Sequence, residues 1–429
     1  MLAARASTAR NVQRITRSFA TVVDTSGVKV AAVDHNQPTA SVTVLVKAGS
    51  RFEPKEGVAN ALKNFAFKST KARSAIGTVR ESELYGGVLY STLGREHLAL
   101  TAEFLKADAA EYLSPYFVDV LTSFVTSAKF ARHEFEEYVA PLVAAEAESA
   151  THDPATRAIE AAHQLAFRSG LGSSLFAPAH NHITVEDIKS YASAAFTKGN
   201  IAVIGTGIDQ ATLSNLVEKS LAKAAAGTSA SSPATKYFGG ETRLDGHGGP
   251  QTVFVGFGTT GAPSAELATL AAHLSTTPSV KWSQGISPIS SLPKGTSVQP
   301  VYLPYSDASL FGLLVQGTTI EGVKEAGKAA VAALKAAAKG ISADELKSAV
   351  SKAKFAAASA VDTREGLVTA LGSKAFSGSE VSLESTLSSL DNVNVDAFSK
   401  ATASLLSAKP TFVAIGDSHA LPYADELGL

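Results

Sequence analysis

GVANALKNFAFKST, residues 57 to 70, sets Val58, Leu62 and Phe65 at helical spacing behind Gly57. That spacing predicts a helix over 57–69 with one buried apolar stripe. The other face carries Asn60, Lys63 and Asn64. These three positions have the spacing at which a zinc-binding helix places His, Glu and His, so the question is whether the stretch is a metal site, a damaged one or an amphipathic helix.

Outward from this helix the pattern changes to short β-rich runs. VKVAAVDH (28–35) and SVTVLVKAG (41–49) read as strands before it, and ELYGGVLYSTLGREHLALTAEFL (83–105) reads as a hairpin-like pair after it. Residues 108–127 and 131–150 read as helices. The order is that of an α+β fold with largely antiparallel strands. The unit is then written a second time. VTVLVKAG from 42 is answered by TVFVGFG from 252, an offset of 210, and IAVIGTG from 201 by FVAIGDS from 412, an offset of 211. Between them FARHEFEEYV from 130 matches ISADELKSAV from 341. ITVEDIKSYASAAF from 183 matches VNVDAFSKATASLL from 393, with Thr184 and Asn394 as expected helix N-caps. Four pairings in order at a near-constant shift predict two homologous domains in tandem, each a largely antiparallel sheet packed with helices. The small-residue stretch AAAGTSASSPATK (224–236) reads as the linker between domains at 20–223 and 237–429.

Composition excludes several classes. Lys and Arg number 38 against 39 Asp and Glu, a formal net charge of -1 with no basic block, so the footprint of a nucleic-acid binder is missing. The chain has no cysteine, which rules out disulfides, thiolate metal sites and a Cys nucleophile. No apolar run reaches the roughly 18 residues that a membrane-spanning helix needs. MLAARASTARNVQRITRSFATVVD carries Arg5, Arg10, Arg14 and Arg17 with no acid before Asp24, the composition of a mitochondrial transit peptide expected over residues 1–19. Arg17-Ser18-Phe19 before Ala20 resembles a matrix-protease cleavage pattern. Removing four arginines from a net charge of -1 leaves -5.

Other motifs point to no chemistry. GFGTTG (256–261) matches a dinucleotide fingerprint in letters, but no Asp or Glu lies between Glu266 and Asp307, so the ribose-binding acid is absent. The expectation there is a tight strand-to-helix turn. His180-Asn181-His182, even with His152, Asp153 or His163, reads as solvated loop histidine, and no G-x-S-x-G elbow marks a Ser-His-Asp triad.

With its flanks, the opening stretch resembles the pitrilysin and mitochondrial processing peptidase family. Gly49-Ser50-Arg51-Phe52-Glu53 is similar to that family's G-S-R-x-E turn, and Phe67-Lys68-Ser69-Thr70 to its F-K-G-T-like helix end, around a G-x-A-H-x-x-E-H helix. The resemblance puts Asn60 and Asn64 where two His ligands would stand and Lys63 where the Glu general base would stand. The third ligand would come from FEEYVAPLVAAEAES (135–149), where Glu146 is the match and Val139 replaces its partner seven residues earlier. Carboxamides are poor zinc donors, and an ammonium with an ordinary pKa of about 10.4 is no base at neutral pH. The resemblance therefore implies no catalytic residue, no bound metal and no cofactor, with Asn60, Lys63, Asn64 and Glu146 as degenerate positions.

A second stretch, LSTTPSVKWSQGISPISSLPKG (274–295), is similar to the core-protein branch of this family in mitochondrial ubiquinol-cytochrome c reductase, the cytochrome bc1 complex. Pro278, Val280, Lys281 and Gly285 carry that match. It implies a structural subunit, peripheral on the matrix side of the inner membrane, partnered by core protein 1, cytochrome b, cytochrome c1 and other subunits of the complex. Two alternatives stand beside it. One is a non-catalytic, presequence-binding alpha-type subunit of the processing peptidase, whose loop at 274–294 is much richer in glycine. The other is an enzyme with an unrelated site between the domains, for which the residues show no constellation.

Overall fold

The computed structural model describes residues 22–34, 37–106, 110–246, 248–277, 287–377 and 383–429. Residues 1–19 and the Pro278, Val280, Lys281 and Gly285 element lie outside the described residues. The first half runs β1 (Val23–Thr25), β2 (Val28–Val33), β3 (Thr39–Val46), α1 (Val58–Asn64), α2 (Ala75–Leu84), β4 (Val88–Leu93) and β5 (Leu98–Leu105). Five helices follow, α3 (Ala110–Ser127), α4 (Arg132–Glu134), α5 (Ala140–His152), α6 (Pro154–Phe167) and α7 (Val185–Ala195), before β6 (Ile201–Thr206) and α8 (Gln210–Ser220). The second half runs β7 (Gly240–Asp245), β8 (Gln251–Thr260), α9 (Ala265–Leu274), β9 (Thr296–Pro304) and β10 (Ala308–Gly317). It continues with α10 (Ile320–Lys339), α11 (Ala343–Ala360), α12 (Arg364–Ser377), α13 (Leu383–Asp391), α14 (Val395–Ser407) and β11 (Thr411–Gly416).

The repeat is visible in the strand order. One sheet is ordered β1-β2-β6-β3-β5-β4 and the other β7-β11-β8-β10-β9, so after the short β1 each place in one has its counterpart in the other. In both, the pair at the start is parallel (β2 with β6, β7 with β11) and the remaining pairings are antiparallel. The chain is thus α+β. Thr184 and Asn394 cap α7 and α14 as their sequences predict, Thr184 within a capping box with Asp187.

Strands β3 and β8 are buried on both faces, which explains why they read as continuous apolar runs rather than alternating ones. One face of each sheet packs on helices of its own half: Val42, Val44 and Leu100 against Phe65, Phe117 and Ile188, and Val255 and Leu313 against Leu270, Leu334 and Phe398. The opposite faces are exchanged. Helix α6 of the first half lays Ala158, Ala162 and Ala166 on Phe254, Leu310 and Val413 of the second sheet. Helix α12 of the second half lays Leu367, Val368 and Leu371 on Ala31, Leu45 and Ile204 of the first.

Four expectations are corrected. The helix predicted over 57–69 stops at Asn64, because the Phe65 amide closes the last turn on Ala61, Leu62 and Lys63 and Phe67 turns to positive φ. Ser69 is then held by the buried Glu134 carboxylate, which accepts from its amide at 3.0 Å and its hydroxyl at 2.6 Å. Residues 83 and 84, read as the start of the hairpin pair, instead finish α2, whose cap is Ser74. GFGTTG is not a tight turn at its first glycines. Gly256 faces Gly312 across β8 and β10, and the Phe254 ring lies where a Cβ of either would sit, so both glycines make room for an aromatic within the sheet. The helix read at 131–150 spans Arg132–His152 in three pieces, with a π-helical turn at Phe135–Val139 between α4 and α5.

Candidate functional site

Gly57 enters α1 at φ 90°, and a Cβ there would come within 2.5 Å of the Ala177 Cβ, so the helix start needs glycine. The preceding turn supplies the cap. One Glu53 oxygen accepts from the Gly57 amide at 3.1 Å and the Ala59 amide at 2.9 Å. Burial pushes the Glu53 carboxyl up to about 8 against the lowering effect of those two amides. Tyr191 on α7 donates to the Gly49 carbonyl at 2.9 Å and fixes the base of the turn.

The apolar stripe is buried as its spacing predicts, with Val58, Leu62 and Phe65 all at 1% exposure or less. The polar face is not solvated. Asn60, 4% exposed, donates from Nδ2 to Glu146 at 3.0 Å and to the Leu175 carbonyl at 3.1 Å. Asn64 donates from Nδ2 to the same Glu146 oxygen at 3.2 Å and to Asn60 Oδ1 at 3.2 Å. Lys63 Nζ pairs with the other Glu146 oxygen. The four candidate residues therefore converge on one carboxylate brought in by α5. Val139, seven residues earlier at the end of the π-helical turn, is fully buried in the first core and adds no donor.

Burial alone would raise the Glu146 carboxyl, but Lys63, Asn60 and Asn64 donate to it and together hold it below the ordinary carboxylate value. With that sign, the pairing stabilises the fold above the ordinary glutamate range and its contribution fades as acid protonates Glu146. Replacing Lys63 by methionine is expected to cost about 1–2 kcal/mol, discounted from a fully buried pair because Glu146 is partly solvated. The same change should raise the Glu146 titration, read by carboxyl NMR; an unmoved titration would mean that the amides alone set it.

The donor set does not fit a zinc ion. It holds one carboxylate, two carboxamides and an ammonium that already occupies the carboxylate, and a divalent cation would meet that positive charge at contact distance. Among the described residues no three His, Cys, Asp or Glu side chains come together in a metal-holding arrangement. His180 and His182 are exposed and His163 is buried, its Nε2 2.8 Å from the Tyr305 hydroxyl, so the structure does not gather these histidines. Beside α1 a groove of about 810 Å³ runs between α5, α6 and the segment before α7, with Ala61, Val143, Ala147, Phe176 and Ile183 in its wall. Sequence reasoning missed Glu53 as a cap and Glu134 as an anchor. Glu134 acts on Ser69, 65 positions away, for which no spacing rule gives a signal, whereas Glu53 caps amides only four and six residues on and was within reach of a local capping rule.

Both halves of the chain match known family profiles. The profile of Insulinase (Peptidase family M16) matches residues 29–179, and that of the Peptidase M16 inactive domain matches 182–353. The chain is 41% identical to the mitochondrial cytochrome b-c1 complex subunit 2 of Cryptococcus neoformans var. grubii, over 99% of this chain and 98% of that protein. It is 36% identical to the protein of that name from Yarrowia lipolytica, over 96% and 97%, and 28% identical to the one from Mus musculus, over 94% and 90%. With both halves matched and the similarity running nearly end to end, the chain belongs to peptidase family M16 and, within it, to the family of the mitochondrial cytochrome b-c1 complex subunit 2.

Proposed function

We propose that the chain is a core protein 2 type subunit of mitochondrial complex III, ubiquinol-cytochrome c reductase, with a structural and not a hydrolytic role. The observation that carries this reading is the Lys63 ammonium seated on Glu146 between Asn60 and Asn64, in a chain collinear with those relatives. In this reading the four residues stand at the family's catalytic positions and do no chemistry. The site binds no metal and the chain needs no cofactor. Residues 1–19 serve as transit peptide, and the linker at 224–236 divides the chain into domains at 20–223 and 237–429. Its place is the matrix side of the inner membrane, paired with core protein 1 and in contact with cytochrome b and cytochrome c1. No described helix is long and apolar enough to cross a membrane, which suits attachment through other subunits. Permanent interfaces of this kind bury about 2,000 Å² or more. The relatives do not favour the presequence-binding alternative.

After mild detergent extraction of mitochondria, the chain is expected to co-migrate with cytochrome b and with a b- and c-type haem spectrum. Recovery instead as a soluble heterodimer that cleaves presequences would overturn the proposal.

A further inference from the structure

The exchanged helices hold the two halves together through apolar faces, and such contact is nearly indifferent to sliding or rotation. Two arginines form ion pairs across the seam in opposite senses and supply direction, beside the single hydrogen bond that Arg157 of α6 donates to the Asp245 carbonyl at 2.7 Å. Arg51, in the turn before α1, has a side chain 5% exposed. Its Nη1 and Nη2 reach the two oxygens of Asp307, in the turn before β10, at 2.7 and 2.8 Å, a fork-on-fork pair. The same guanidinium donates to Glu96 of its own half at 2.9 Å, and to Ser232 at 2.7 Å and Thr235 at 3.2 Å in the segment joining the halves. Thr235 in turn donates to Asp307 from its amide and its hydroxyl, each at 3.0 Å. Partial burial works against the Asp307 charge, but Arg51 and Thr235 more than offset it and hold the carboxyl down at about 2. From the other side Arg364, at the start of α12, pairs with Glu103 of β5 and donates to Thr39 of β3. Glu103 also accepts from Tyr90 at 2.9 Å.

We propose that Arg51 and Arg364 form a reciprocal clasp that fixes the angle between the two halves and ties down the connecting segment, so that the molecule presents one rigid face instead of opening about a hinge. Each arginine comes from one half and finds its carboxylate in the other. The joining segment is caught in the first of the two pairs. The exchanged helices provide adhesion, and the forked pair provides the geometry.

The test uses the full chain, whose lack of cysteine allows clean spin labelling of the Lys219→Cys, Lys347→Cys background, one exposed site on α8 and one on α11. Pulsed dipolar spectroscopy should give a single narrow distance distribution. Adding Arg51→Met and Arg364→Met should at least double its width, whereas Arg132→Met, which removes an exposed ion pair within one helical segment, should leave it unchanged. A double variant as narrow as its parent would overturn the clasp. Should the double variant fold poorly, Arg51→Lys keeps the charge and loses the fork, and an unchanged width there would also overturn it. Arg364→Glu should broaden the distribution and the added Glu103→Arg should narrow it again; no recovery would remove Arg364 from the clasp.

Discussion

Phe65→Ala is expected to destabilise the first half by about 3–5 kcal/mol, the range for deleting a fully buried ring whose surroundings cannot collapse. The Phe65 side chain is 1% exposed. It meets Phe130 edge-on at 5.3 Å and stacks on Phe135 at 6.2 Å with 7° between the planes. Phe130 meets Phe124 in turn, and Phe124 meets Phe196, so a chain of rings ties α1 to α3 and to the end of α7. Collapse is restricted because Phe130 sits at positive φ and Glu134 is anchored to Ser69. Native-state hydrogen exchange at the α1 amides, with chemical unfolding of the whole chain, reads the loss. A cost below about 1.5 kcal/mol would mean that the aromatic cluster repacks and does not hold the helix.

That cluster also shows where the sequence was informative and where it was not. The stripe Val58, Leu62 and Phe65 was legible because a buried helical face repeats every three to four residues whatever covers it. Strands β3, β6, β8 and β11 were legible for a related reason. They sit centrally in two sheets of the same order, so their apolar runs recur at a constant offset. Helix α2 was missed because its interior buries only Thr78 and Ser82 while Ile76, Val79 and Leu84 face outward, a pattern with no apolar stripe toward the core. The exchange of α6 and α12 between sheets could not be read at all. Their alanine and leucine stripes announce burial, but periodicity carries no information about which sheet receives them.

The candidate site was legible in a similar, partial way. Asn60, Lys63, Asn64 and Glu146 were named from resemblance, and the structure brings all four together. Spacing gave no sign that the lysine would fold onto the carboxylate, since that contact spans 83 positions. Local rules treat Lys63 as a solvated surface charge. Here its ammonium stands where a cation is wanted, next to a carboxylate that burial would otherwise leave uncompensated.

The triple change Asn60→His, Lys63→Glu, Asn64→His tests how much of a metal centre the frame retains. Both asparagine side chains already reach one Glu146 oxygen, at 3.0 and 3.2 Å, from positions four apart on α1. Imidazoles there would give two nitrogens and one carboxylate oxygen, a donor set that zinc accepts with its fourth place open. Removing the ammonium at the same time frees Glu146. Zinc affinity is therefore expected to rise by about three orders of magnitude or more, equivalent to about 4 kcal/mol, read by competition with a chromogenic chelator. Thermal stability should rise with added zinc in the variant and not in the parent. Peptide cleavage should not follow. A protease needs the substrate carbonyl, the metal-bound water and the base aligned to within a fraction of an ångström, and a new carboxylate at position 63 brings no second shell to hold it. Val139, apolar and fully buried seven residues before Glu146, offers no hydrogen bond to that shell. Unchanged zinc affinity would show that α1 and α5 no longer meet at ligand distance in solution. Zinc-dependent cleavage by the variant alone would show that these three side chains are all that separates the site from a working peptidase.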